Sequence, residues 1–187
     1  DILSGTTVIG SAPVLDSAKK STSKGGTKQT ADEGATGSGS NISNQEYYNL
    51  GVKNTIISGA DMKGLIPACR EAFYTMIGEL FATKKPKKQP RVTSAFRSHE
   101  KQKVLYAEAL KKYKSEQEAR RWVAYPGNSK HEKGTALDVD YKQGETVSLL
   151  ISTGLLKKYN FTKPLSNEPW HIEYGSGSVG AAAGAAA

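Results

Sequence analysis

The sequence has one cysteine and three histidines among its 187 residues. Cys69 alone closes no intrachain disulfide and builds no thiolate metal site, so any metal this chain holds must sit on imidazole and carboxylate groups. No apolar run approaches the ~20 residues that cross a bilayer, and the N-terminus lacks a basic region followed by an apolar one. No membrane span is therefore expected. The chain begins at Asp1 rather than Met, which suggests a processed product or a fragment. Large apolar side chains are nearly missing from residues 17–45, SAKKSTSKGGTKQTADEGATGSGSNISNQ. Such a stretch cannot repay its own ordering entropy, and it reads as a linker that orders only against a partner. Acidic residues are in deficit, 18 against 26 Lys and Arg, for a net charge of +8. That balance suits polyanionic surroundings, whether nucleic acid, anionic lipid or the polymers of a bacterial wall. The basic residues are not interleaved with aromatics and match no nucleic-acid motif, so nucleic acid is not an expected partner.

The apolar residues that are present fall into patterned segments. Residues 1–16 carry Val, Ile and Leu between small residues, a short strand-like arm at most. From Asp61, a plausible N-cap, residues Leu65, Ile66, Cys69, Phe73, Met76, Ile77, Leu80 and Phe81 recur at helical spacing, and this stripe reads as core. KKPKKQPR (84–91) breaks the helix with two prolines and forms a charged, solvated connector. A strand is expected over 91–95 and a helix over 98–113 with Val104, Leu105 and Tyr113 inward. A second helix, opened by a Ser115/Glu118 capping box, runs to Trp122. TALDVDY (135–141) alternates, with Leu137, Val139 and Tyr141 on one face and Ala136, Asp138 and Asp140 on the other. PWHIEY (169–174) likewise sets Trp170, Ile172 and Tyr174 opposite His171 and Glu173. With a helix near 145–152 between them, these predict an α+β fold with a small antiparallel sheet flanked by helices. The expected organisation is an arm and linker over 1–45, a helical segment over 46–90 packed on a catalytic domain over 91–175, and a Gly/Ala tail over 176–187.

Two of the three histidines stand beside the strand-borne carboxylates. His131 and Asp138 are separated by the turn-permitting Gly134, and His171 comes from the second strand. Two imidazoles and one carboxylate make three protein ligands and leave a fourth position open, the pattern of a catalytic Zn2+ site. Glu168, three residues before His171, is the best candidate for the base that takes a proton from water and returns it to a leaving amine. Arg97, in SAFRS just after a strand, offers a planar fork to a developing oxyanion. Ser129 and Lys130 are placed to meet a substrate carboxylate. His99 has no partner pattern around it and is expected to play no part, while Asp140 and Glu173 are expected behind the ligands or in solvent.

SKHEKGTALDVD (129–140) resembles the Ser-x-His-x-x-Gly-x-Ala-x-Asp signature of the zinc D-alanyl-D-alanine carboxypeptidases, and EPWHIEY (168–174) resembles their Glu-x-x-His element. Tyr125-Pro126-Gly127 and SAFRSHEKQ (94–102) make the likeness closest to the VanY-type branch, over residues 91–175. The resemblance implies the fold shared by these enzymes and the Hedgehog signalling domain. It implies zinc on His131, Asp138 and His171, Glu168 as general base, Arg97 at the substrate carbonyl, and Ser129, Gln102 and Trp170 at the substrate. The substrate class it implies is the peptidoglycan stem peptide, cut at D-Ala-D-Ala or, as in related phage endolysins, at L-Ala-D-Glu. The run from Phe161 to Glu168 is shorter than the family pattern, which points to a trimmed substrate-covering loop. Two settings fit: a phage virion, with residues 1–45 docked on tail or baseplate proteins, or the extracytoplasmic bacterial wall. A structural protein that keeps the fold without hydrolysis is the alternative, and the presence of both Glu168 and Arg97 argues against it.

Overall fold

Ser43 closes the first helix, α1 (Asn44–Lys53), with a reciprocal pair. Its Oγ accepts the Glu46 N–H at 3.3 Å, and its own N–H donates to the Glu46 carboxylate at 2.7 Å, which satisfies two otherwise orphaned groups of the first turn. In the computed structural model the described residues are 42–175, so the arm over 1–16, most of the linker over 17–45 and the tail over 176–187 lie outside them. Helix α1 crosses α2 (Pro67–Lys84) at two glycines. A Cβ on Gly51 would collide with the Tyr74 carbonyl oxygen, and one on Gly78 with that of Tyr47.

Helix α2 is the spine of the core. Cys69, Phe73, Met76, Ile77 and Leu80, the stripe legible in the sequence, are fully buried, and each such large side chain contributes about 1.5–3 kcal/mol by leaving water. Its start differs from expectation, because Ile66 takes the cap position and Pro67 the first helical position, where a missing N–H costs nothing. Asp61 caps a separate turn, accepting the N–H groups of Lys63 and Gly64 at 3.0 Å each.

Among the described residues five short strands form one sheet: β1 (Ile56–Ile57), β2 (Arg91–Ser94), β3 (Ala136–Val139), β4 (Phe161–Thr162) and β5 (His171–Tyr174). Their order is β1-β2-β3-β5-β4, with β1 parallel to β2 and every other pairing antiparallel. The expected α+β class thus holds, with one parallel pair at an edge. Leu137, Val139 and Ile172 meet α2 together with Val147 and Leu150 of α5 (Glu145–Ser152), the pair Leu155 and Leu156 of α6 (Leu155–Lys158), and Phe161.

Helix α3 (His99–Tyr113) and α4 (Glu116–Trp122) form a hairpin with its own small cluster of Tyr106, Ala109 and Ala119. The expected inward face of α3 is corrected here. Val104 is 57% exposed and Leu105 half-buried, and the buried positions are Gln102, Tyr106 and Ala109. The hairpin packs on itself rather than on the central core, so a polar Gln occupies the inner face and the apolar Val104 faces out. Ser115 accepts the Glu118 N–H at 3.4 Å, but the Glu118 carboxylate turns to Arg121 instead of completing the box. The alternation also ends early at β3. Asp140 takes φ +53°, and Tyr141 turns out to 50% exposure.

Candidate functional site

The central strands bring the predicted ligands together. In the antiparallel register Asp138 of β3 stands opposite His171 of β5 on one side and Ser94 of β2 on the other. His131 arrives from the turn before β3. That turn closes at Gly134, where φ is +67° and a Cβ would lie 2.9 Å from the Gly64 carbonyl oxygen, so a side chain there would be strained and crowded.

The Asp138 carboxylate splits between two rings, with Oδ1 2.9 Å from His171 Nδ1 and Oδ2 3.4 Å from His131 Nε2. One ligand atom from each of the three residues lies within 4.8 Å of the others, and all three side chains are buried. Donors on a tetrahedral zinc at ~2.0–2.1 Å would stand roughly 3.3 Å apart, and the 2.9 and 3.4 Å contacts bracket that spacing. The remaining ring nitrogens are held from behind. His131 Nδ1 donates to the Ala95 carbonyl at 2.7 Å, which leaves the lone pair on Nε2 facing Asp138. His171 Nε2 lies 3.3 Å from Glu173 Oε1, and Lys130 Nζ lies 3.6 Å from the other oxygen of Glu173. Acceptors behind the ring fix imidazole orientation and tautomer, as at metal-binding histidines. The donor set and its support therefore fit a divalent metal. Burial opposes ionisation of Asp138, but the bonds from His131 and His171 overrule it and hold its carboxyl well below the usual range. Burial likewise works against a charged His171, yet Asp138 and Glu173 raise its pKa.

Glu168 is half-buried at the end of the turn preceding β5, and its backbone carbonyl accepts the His171 N–H at 3.1 Å. Burial lifts its pKa above the ordinary carboxylate range, against the pull of His171 and with the push of Asp138. Arg97 faces the same group of charges. Its burial lowers its pKa, and Asp138, Glu132 and Glu168 counter that. The guanidinium donates to Gln102 Oε1 at 2.9 Å and to Ser94 Oγ at 3.1 Å, while the Arg97 backbone N–H donates to the His131 carbonyl at 3.2 Å.

Gln102 is not where the resemblance implied. It is fully buried, and its amide is occupied at both ends, accepting from Arg97 and donating to the Ala124 carbonyl at 2.7 Å. With no surface to offer a substrate, it stands behind Arg97 as a brace. Ser129 is buried at the entry of the His131 turn, and Trp170 is half-buried with its ring 4.8 Å from that of Tyr141. Trp170 lies just before β5 rather than in it, and its carbonyl accepts the Val139 N–H at 2.9 Å.

Glu132 was not singled out by the sequence, although it organises the turn. Its carboxylate accepts the N–H groups of Gly127 and Ser129 and lies 2.7 Å from His99 Nδ1. His99 therefore has a partner after all, outside the ligand cluster. Asp140, expected as a second layer or in solvent, is buried and structural, accepting the N–H and hydroxyl of Thr146 at the start of α5 and the Arg91 N–H of β2.

Comparison with known families gives this geometry its context. Residues 67–165, just over half of the chain, match the VanY family model, described as D-alanyl-D-alanine carboxypeptidase. The chain belongs to the VanY family. The match covers Arg97, His131 and Asp138 and stops before Glu168 and His171, so the second half of the site rests on the pairing of β3 with β5. A D-alanyl-D-alanine carboxypeptidase of Enterococcus faecalis (strain ATCC 700802 / V583) is 32% identical over 106 residues, 46% of this chain and 40% of that protein. The putative carboxypeptidase YodJ of Bacillus subtilis (strain 168) is 27% identical over 118 residues, 50% of this chain and 41% of that protein. The chain thus spans about two fifths of the length of these curated relatives. Among solved structures, the LdcB LD-carboxypeptidase aligns with a TM-score of 0.47 at 26% identity, covering 59% of this chain and 58% of that one.

Proposed function

We propose that this chain is a zinc-dependent peptidase that removes the terminal D-alanine from peptidoglycan stem peptides in the extracytoplasmic wall. The observation that carries the reading is the buried His131–Asp138–His171 cluster with the Glu168 carboxylate beside it. Family membership supports the substrate class, and the carboxypeptidase relatives favour trimming over endopeptidase cleavage.

His131 through Nε2, Asp138, and His171 through Nδ1 would hold the zinc. When bound, the metal supplies Lewis-acid polarisation of a carbonyl and lowers the pKa of water. Glu168 takes the proton of the attacking water and delivers it to the leaving amine nitrogen, work suited to a carboxylate whose pKa burial has raised. Arg97, steadied by Gln102 and Ser94, keeps its N–H groups toward the charge that develops on the carbonyl oxygen. Ser129 and Lys130, at the entry of the turn, are the groups we assign to the substrate's terminal carboxylate, and Trp170 we assign to the substrate as well. Among the described residues no helix is long and apolar enough to cross a membrane. A virion setting would require residues 1–45 to dock on tail or baseplate proteins, and no observation favours it over the wall.

The test is Glu168→Ala with bound zinc quantified. Retained metal with hydrolysis lowered by about 10²–10⁴-fold, the usual contribution of a positioned acid–base group, is the expected result. Full activity in that variant would remove Glu168 from the mechanism. Cleavage after L-alanine in place of D-alanine release would replace the carboxypeptidase reading with an endopeptidase one.

A further inference from the structure

Trp122, the last residue of α4, belongs to neither apolar cluster, and it is 48% exposed. One face of its indole lies nearly parallel to the Tyr113 ring, 6.3 Å between centroids and 13° between planes. The indole also lines a cleft of about 480 Å³ whose other walls are Glu118 and Arg121 of α4 and, across from them, Ser166 and Asn167. Asn167 is the residue before Glu168, so one wall of the cleft belongs to the same turn as the candidate catalytic carboxylate. Tyr106, Ala109 and Ala119 form the buried centre of the α3–α4 hairpin, and Trp122 stacks on Tyr113 at its edge with much of the indole left in solvent.

The lining has a definite chemistry. A flat aromatic face is backed by a second ring and rimmed by a guanidinium, a carboxylate, a carboxamide and a hydroxyl. A pyranose offers the matching surface, with one face of C–H groups and an equatorial rim of hydroxyl and acetamide groups. A hydrophobic peptide side chain would use the indole and make nothing of the Ser166 hydroxyl and the Asn167 carboxamide, whose desolvation costs affinity. The geometry points to a saccharide subsite: the Trp122 cleft binds an N-acetylated amino sugar of the glycan strand that carries the stem peptide.

The inference rests on the peptidoglycan reading above, which places a sugar a few residues from the scissile bond. An extended peptide advances about 3.3 Å per residue, so a sugar four residues from the scissile bond lies about 13 Å away.

The experiment has two arms. In the first, oligomers of N-acetylglucosamine are titrated by calorimetry onto the wild-type chain, Trp122→Ala and Trp122→Phe. In the second, kcat/KM is measured for a disaccharide-linked muropeptide and for the same peptide without sugar. Loss of one stacked aromatic contact predicts about tenfold weaker oligomer binding in Trp122→Ala, with partial recovery in Trp122→Phe. The muropeptide should lose its advantage by a similar factor while the bare peptide is unaffected. Wild-type chain that binds no oligomer, unchanged binding in Trp122→Ala, or an equal fall on both substrates would each overturn the subsite. If neither substrate were hydrolysed, the peptidase reading would fail and the titration would still decide the saccharide site.

Discussion

Replacing Gln102 with Leu removes an amide from a site that water does not reach while nearly keeping its volume. Two groups lose their partners: the Ala124 carbonyl, held at 2.7 Å, and the Arg97 Nη1–H, held at 2.9 Å. An orphaned buried polar group costs about 1–3 kcal/mol. Arg97 is only half-buried and recovers part of its loss from water, so the sum comes to about 2–4 kcal/mol. With a urea dependence of ~1–3 kcal/mol/M, the unfolding midpoint should fall by about 1–2 M. Activity should fall as well, because Arg97 keeps only its 3.1 Å bond to Ser94 and loses its fixed aim. Deleting an oxyanion donor outright costs ~10²–10³-fold, so a loosened one should cost about tenfold in kcat/KM. Urea denaturation followed by circular dichroism and steady-state kinetics measure the two effects. A variant as stable as wild type that nonetheless loses substrate affinity would show that Gln102 meets substrate directly, and would refute its role as a brace.

Gly78→Ala should separate α1 from α2, since the new methyl collides with the Tyr47 backbone. A loss of about 1–3 kcal/mol, with increased proteolysis within residues 44–53, is expected, and an unchanged stability would contradict the close crossing. Burial pushes the Cys69 thiol up to about 12 from an ordinary value of about 9. The unfolded chain therefore releases this proton first, so the Cys69 contribution is intact below pH ~9 and is lost as pH rises to about 12. Cys69→Ala should flatten that alkaline decline in urea stability, and the native thiol should resist alkylation at pH 8 until the chain unfolds; rapid labelling of folded protein would contradict its burial.

Much of this was legible in the residues because it followed from periodicity and scarcity. The α2 stripe from Cys69 to Leu80 has the helical period, and the 135–139 and 171–174 segments have the period of strands. With three histidines in the chain, two of them beside alternating strands that carry carboxylates, the coincidence of weak signals in one place pointed to His131, Asp138 and His171. What escaped notice depends on long-range pairing. Strands β1 and β4 are two residues each, too short for any pattern, and exist because Pro90 and Tyr174 place neighbours beside them. Glu132 looks like an ordinary solvated acid, and only the fold reveals that it holds a turn; Glu173 and Asp140 were expected behind the ligands or in solvent, and the fold sets Glu173 behind the His171 ring and Asp140 at a helix start. The face of α3 was misread because Gln102, a polar residue, takes the buried position and Val104 the exposed one. A buried amide that braces an arginine has no hydrophobic signature.

The most direct test of the central claim is to incubate the zinc-loaded chain with defined pentapeptide muropeptides, with and without a chelator, and identify the products by mass. Release of terminal D-alanine that stops on chelation and returns with added zinc is the predicted result. Release that persists in the metal-stripped protein, or no product under either condition, would contradict it.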